Sequence, residues 1–300
     1  MLGLDVSSLP PRLHVGTSSF SAADWRGVFY PETMAAGDFL RHYSTQLRTV
    51  EIDATWHVMP SLRMVKAWTE KTPEQFVFSV KVPKIITHES YLQDCEEEWK
   101  QFFAALEPFG EKRGPILFQF QYVAKGKDAH EYATGEDFRR RFAAFAPQLP
   151  AGGKYVVEVR NEKWLGAPLY DLLRQHGVSL ALVDYYTMPS GPVLLSRPLD
   201  PITGDFAYVR FLGNHHAMDL AVAQAREKGE RQGDWDALLV DRRAEMRGWI
   251  PAIRDLLNRH LDVFAYFNNH YAGFAPGSIE QFIELWREGA SGPEGVQSRS

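Results

Sequence analysis

The chain carries a single cysteine, Cys95, among its 300 residues. A lone thiol excludes an intramolecular disulfide and any cysteine-cluster metal centre. It fits a reducing compartment, and Cys95 reads as an unreactive helix residue rather than a nucleophile. Long apolar runs are missing too: no stretch approaches the ~20 residues that a membrane-spanning helix needs. The opening MLGLDVSSLPPRL has no basic n-region and no long apolar segment, so it does not read as a secretory signal. A cytoplasmic protein without membrane association is the expectation. There is no basic excess; the formal charge of −5 argues against a dedicated nucleic-acid binder, which relies on clustered Lys and Arg. Also absent are HxH and HExxH pairs, GxGxxG, a P-loop and a GxSxG elbow. Nucleotide-fold cofactors and a serine-hydrolase elbow are therefore not indicated.

What remains is ordinary globular material, 45% hydrophobic and 24% charged, enough for a sizeable core. Residues 1–12 read as an extended lead-in closed by Pro10-Pro11. Strand-like runs follow at 13–18, 50–57, 76–82, 116–120, 155–160, 178–183, 206–211 and 263–268. Helical spacing fills 33–47, 61–71 (N-capped by Ser61), 96–109, 136–146, 168–176 (closed by Gly177), 235–259 and 278–287. Residues 123–135 read as a polar loop, 185–204 as a Pro-rich loop, and 290–300 as a disordered tail. Alternating β and α segments predict a parallel sheet. Eight repeats over 13–289 match a single-domain TIM-type (β/α)8 barrel; an open doubly wound sheet is the alternative.

In such a barrel, function sits at the C-terminal strand ends. The run Val50-Glu51-Ile52-Asp53-Ala54-Thr55 alternates at period two and sets Glu51, Asp53 and Thr55 on one face. Other strands bring Lys81, Gln119, Glu158, Arg160, Asp184, Tyr208, Arg210 and Asn268 to the same end. Glu51, Asp53, Glu158 and Lys81 are candidates for acid–base work, because neighbouring titratable groups can have separated pKa values. Arg160 and Arg210 are candidate forks for a carboxylate or phosphate. Gly213-Asn214 and Asn268-Asn269 follow strands seven and eight, where barrels often bind phosphate. Thr17 and His88 stand at the same end. Trp25, Phe29, Tyr30, Trp56 and Trp164 fall on the same rim, as stacking surfaces or as loop plugs. His215 and His216 read as exposed loop histidines. The plainer reading is a salt-bridged plug in which these acids and bases neutralise one another. Buried ion networks are a poor route to stability, which favours a functional site.

These residues carry a family resemblance. Val15-Gly16-Thr17-Ser18 with Trp25 and Tyr30-Pro31, Thr49-Val50-Glu51-Ile52-Asp53-Ala54-Thr55-Trp56, and Phe76 to Pro83 with Ile86-Thr87-His88 form its first half. Leu117 to Phe120, Val157-Glu158-Val159-Arg160 with Trp164, Tyr208-Val209-Arg210, Gly213 and Phe267-Asn268-Asn269 with Gly273 and Ala275-Pro276 complete it. In this order they resemble the YecE-like proteins, domain-of-unknown-function family seventy-two. The resemblance implies a TIM-type barrel and no assigned reaction. Asp53 stands where the family pattern has Asn, Trp56-His57 where Phe-Tyr is commoner, and Gln121-Tyr122 where prolines usually follow.

Function is expected to be enzymatic, on a small polar or anionic substrate, with no cofactor predicted. One alternative is a metal-dependent phosphodiesterase or nuclease-like barrel, with a divalent ion on the carboxylates and His57 or His88. A ligand-binding protein without turnover is the other.

Overall fold

A computed structural model of the chain describes residues 2–123, 134–229 and 233–290. The expected polar loop at 123–135 lies mostly outside the described residues, and the expected tail almost wholly so. Eight strands form one parallel sheet: β1 Leu13–Thr17, β2 Thr49–Ile52, β3 Val77–Lys81, β4 Arg113–Gln119, β5 Tyr155–Glu158, β6 Ser179–Tyr185, β7 Phe206–Gly213 and β8 Asp262–Phe267. Their order is β1-β8-β7-β6-β5-β4-β3-β2, which curls the sheet into the expected barrel. Strands covered on both faces read as apolar runs. Val50, Ile52, Phe78, Val80, Ile116 and Phe118 join the layer beneath the helices. Leu117, Val156, Ala181, Val183, Tyr208 and Tyr266 fill the lumen. Among the described residues no helix is long and apolar enough to cross a membrane.

Several boundaries differ from the sequence reading. The lead-in contains a turn of 3-10 helix, Val6–Ser8, capped by Asp5. Strand two stops at Ile52; Asp53 is already helical (φ −72°, ψ −22°) and Ala54–His57 form a helical turn. Period two therefore does not continue, and Thr55 leaves the face of Glu51. Its hydroxyl donates to the carbonyls of Ile52 and Lys81, at 2.8 and 2.6 Å. His215–Glu227 is a helix that the sequence reading missed, with Asn214 Oδ1 capping the Ala217 N–H. The expected helix at 235–259 begins only at Arg243. A short helix, Gly191–Leu195, interrupts the expected loop at 185–204.

Adjacent ladders join every neighbouring pair except β1 and β2, the two ends of the strand order. Tyr43, on the helix Phe39–Gln46, closes that seam. Its hydroxyl accepts the Thr17 N–H at 2.9 Å and donates to the Thr49 carbonyl at 3.0 Å. The strands approach closely because residue 16 is glycine; a Cβ there would lie 2.3 Å from Thr49 O.

Tyr43→Phe strands a buried donor and a buried acceptor and is expected to cost about 1–3 kcal/mol. Gly16→Ala is expected to cost more, since backbone must move. Urea unfolding midpoints of both variants against wild type test the seam; a Tyr43→Phe midpoint equal to wild type would refute it.

Candidate functional site

Arg210, inward-facing on β7, is the floor of the site. It is 1% exposed, and its guanidinium donates to two carboxylates: Nη1 to Glu158 Oε2 and Nη2 to Glu51 Oε1, each at 2.6 Å. Glu51 comes from β2 and Glu158 from β5, so one side chain links three strands across the lumen. The Tyr208 hydroxyl donates to Glu51 Oε2 at 2.5 Å and lies 2.7 Å from Ser79 Oγ. Arg210 Nε is buried without a hydrogen-bond partner. Glu51 and Glu158 have no exposed surface. The expectation that Arg210 serves as an anion fork is thus corrected, because its fork is filled by protein carboxylates and sealed from solvent.

Above this floor the network opens. Asp53 Oδ1 lies 3.6 Å from Arg210 Nη2 and 3.7 Å from Lys81 Nζ, and its side chain is 28% exposed. Lys81, the last residue of β3, sits 4.9 Å over the Trp56 ring. Arg160 follows β5; its Nε donates to Glu158 Oε1 at 3.0 Å, and its guanidinium covers the Tyr185 ring at 4.5 Å. Gln119 ends β4 in the inward row of Leu117 and is buried. His88 Nδ1 accepts from Trp56 Nε1 at 3.3 Å. An indole nitrogen only donates, so neutral His88 carries its proton on Nε2. Glu51, Asp53 and Glu158 are matched in number by Lys81, Arg160 and Arg210.

Environment drives the two floor carboxyls apart. Burial raises both, but Glu158 has two guanidinium partners, which overcome burial and bring it to about 2. Glu51 has one guanidinium, and Asp53 repels its charge, so burial prevails and its pKa is raised. Burial also lowers the Lys81 amine against the pull of Asp53. His88 falls to about 4, through burial and then the charges of Lys81 and Arg160.

The remaining candidates are placed differently. Thr17, Trp25, Asn268 and Asn269 border a cavity of about 170 Å³ on the β1–β8 side, with Asp53 in its wall. Asn268 caps the helical turn Asn269–Ala272. Asp184 is separated from the site. Val183 and Tyr185 face the lumen, so Asp184 faces outward, accepting from Trp249 Nε1 at 3.1 Å and from the Tyr271 hydroxyl at 3.3 Å. Phe29, Tyr30 and Trp164 are buried plugs; Tyr30 stacks on Phe39 and Trp164 on Phe138. Gly213, with φ of +69°, allows close approach to the His270 carbonyl, 2.6 Å from where a Cβ would stand. Cys95 precedes the helix Glu96–Ala105 rather than lying in it, and burial keeps its thiol protonated, pushed up to about 12.

Sequence reasoning missed a ring stack at the mouth. His215 is not an exposed loop residue: it opens a helix, stacks on His270 at 4.3 Å and meets Tyr185 at 5.7 Å. The Trp235 ring lies 4.5 Å from that of His270. The available signal was the spacing of Met218, Val222 and Ala225, which marks the helix carrying His215. Among the described residues no group of three or more His, Cys, Asp or Glu is disposed to hold a metal ion.

Two outcomes check the floor. Arg210→Met leaves two carboxylates buried against one another, at a cost of about 3–5 kcal/mol, read as a fall in unfolding free energy at pH 7. Glu158 binds its proton more weakly in the folded state than at its ordinary value of 4.5. Its contribution is therefore full above pH 4.5 and is lost as pH falls towards 2, by on the order of 3 kcal/mol. Glu158→Gln should flatten that part of the stability–pH curve, and an unchanged slope would count against the assignment.

The comparisons with known proteins agree with this architecture. The family model described as "Protein of unknown function DUF72" matches residues 14–299. The UPF0759 protein YunF of Bacillus subtilis is 25% identical over 287 residues, covering 91% of this chain and 94% of its own length. The UPF0759 protein YecE of Escherichia coli is 23% identical over 159 residues, 53% of this chain and 55% of its own. The crystal structure of a DUF72 family protein from Thermotoga maritima matches with a TM-score of 0.69 and 28% identity, over 92% of this chain and 99% of that one. With its eight-stranded barrel and a family match running through nearly the whole chain, this protein belongs to the DUF72 family, the YecE-like UPF0759 proteins.

Proposed function

We propose that the protein is an enzyme that acts on a small polar molecule bearing a carboxylate or phosphate, by acid–base chemistry at the C-terminal mouth of the barrel. Lys81 moves the proton, Asp53 sets its electrostatic surroundings, and Arg160 holds the anion. One observation carries the reading. The Lys81 side chain is nearly buried, 3.7 Å from a carboxylate, within Coulombic reach but beyond a hydrogen bond. Burial then favours the neutral amine over the ammonium. A lysine lowered in this way can take up a proton at a pH where surface lysines are fully charged.

The other groups have supporting roles. Glu51, Glu158, Arg210 and Tyr208 are positioning residues: sealed under the mouth, they fix where Asp53 and Arg160 stand. Arg160 commits Nε to Glu158 and Nη1 to Tyr185. Its second terminal nitrogen is uncommitted among the described residues, as an anion contact requires. His88 is neutral near pH 7 and supplies a donor rather than a charge.

Competitive acetylation of the whole protein across pH 6–11, read by peptide mass spectrometry, tests the assignment. Lys81 should reach half-maximal labelling at lower pH than Lys100, whose amine Glu97 holds above its ordinary value. Inorganic phosphate should slow labelling at Lys81 and not at Lys100. If Lys81 tracks Lys100 in both, the assignment falls and ligand binding without proton transfer is what remains.

A further inference from the structure

The cavity on the β1–β8 side has Asp53 in its wall, and the same carboxylate lies 3.7 Å from Lys81 Nζ, so the cavity adjoins the charged mouth. Its volume of about 170 Å³ is that of a few water molecules or one small ring. Its polar wall is made mostly of donors. Asn268 accepts the His270 N–H through Oδ1 at 2.9 Å, and Asn269 accepts the Ala275 N–H through Oδ1 at 3.0 Å. Each amide therefore keeps its Nδ2 group uncommitted among the described residues. Ser18 and Trp25 are 3% and 1% exposed, and neither Ser18 Oγ nor Trp25 Nε1 has a hydrogen-bond partner among the described residues. Buried polar groups normally find partners, and these two belong to residues that line one cavity, where a ligand is the partner within reach. The carboxylate of Asp53 is the charged acceptor, and the Trp235 ring borders the same space.

The chemistry of the wall restricts the occupant. A bare anion would suit the donors but would meet Asp53. A hydroxyl accepts from an amide or indole and donates to a carboxylate, so it suits both. An aromatic face alongside suits the C–H surface of a hydroxylated ring or chain. We propose that this cavity is the hydroxyl-recognising half of the mouth, and that the ligand is a small polyhydroxylated anion. Its hydroxyls are read by Ser18, Trp25, Asn268, Asn269 and Asp53, and its charged end lies at Lys81 and Arg160. The charged end rests on the reading proposed above; the hydroxyl end does not.

Calorimetric titration of the full chain at pH 7 with D-ribose 5-phosphate, D-gluconate, inorganic phosphate, acetate and ribitol tests this. The two headed polyols separate a phosphate from a carboxylate end. At least one of them should bind tenfold or more tighter than its bare anion, phosphate or acetate. Ser18→Ala and Trp25→Phe should each weaken that binding about fivefold to tenfold while leaving bare-anion binding unchanged. Ser18→Ala keeps the backbone bond from Ser18 N–H to the Phe267 carbonyl, so it preserves the loop if Trp25→Phe disturbs it. Arg160→Gln should weaken headed polyols and bare anions alike. Headed polyols that bind no tighter than their bare anions, or that ignore Ser18→Ala, overturn the hydroxyl cavity and spare the anion reading. Ribitol binding that depends on Ser18, with no bare-anion binding, does the reverse. Absence of binding by every probe overturns both.

Discussion

Everything at the top of this barrel depends on the Arg210 guanidinium, held between Glu51 and Glu158 out of reach of water. A cation in that position is costly unless its donors are satisfied, and two buried carboxylates are costly unless a cation lies between them. Each side of the arrangement therefore requires the other. Because the three residues come from β7, β2 and β5, the requirement fixes the mutual position of strands far apart in the chain. Such a network is a weak source of net stability. What it supplies is geometry: a rigid charged floor on which more exposed groups can stand.

Those groups are graded by depth. Arg210 is sealed, Lys81 and Arg160 are nearly so, and Asp53 reaches the opening. Burial acts on all of them but is opposed to different degrees. Glu158 has two guanidinium partners and is driven down; Glu51 has one, with Asp53 nearby, and is raised. Lys81 has a carboxylate nearby but no hydrogen bond to it, and is lowered. Separating the pKa values of close neighbours is how a fold obtains acids and bases that act at one pH. The same depth gradient divides these charges into those that can meet a ligand and those that hold others in place, a distinction that charge type alone does not make.

The charged cluster was legible because polar residues at strand ends stand out against apolar surroundings. Glu51, Lys81, Glu158, Arg160 and Arg210 each interrupt a run of Val, Ile, Leu or Phe. Asp184 shows where that signal fails. Strand β6 is apolar on both faces, as a buried parallel strand should be, so nothing in its sequence reveals its parity. The structure turns Val183 and Tyr185 inward and Asp184 outward to Trp249. Thr55 fails for a related reason: alternation continues on paper after Ile52, but the backbone has already turned helical. His215, Trp235 and His270 were illegible as a group because segments distant in sequence bring them together.

The sequence by itself determined the number of β/α repeats, their parallel arrangement and the strand ends where charge collects. These follow from periodicity, from capping residues such as Ser61 and Gly177, and from the cost of placing charge among apolar neighbours, all of which are local. Only the tertiary structure decided which charges are partners, which are sealed, and which border a cavity. Strand parity, depth in the lumen and the β1–β2 seam closed by Tyr43 depend on contacts between residues far apart in the chain. Solvent access is likewise set by the assembled barrel. It makes Arg210, inside β7, a floor and Arg160, just past β5, a wall.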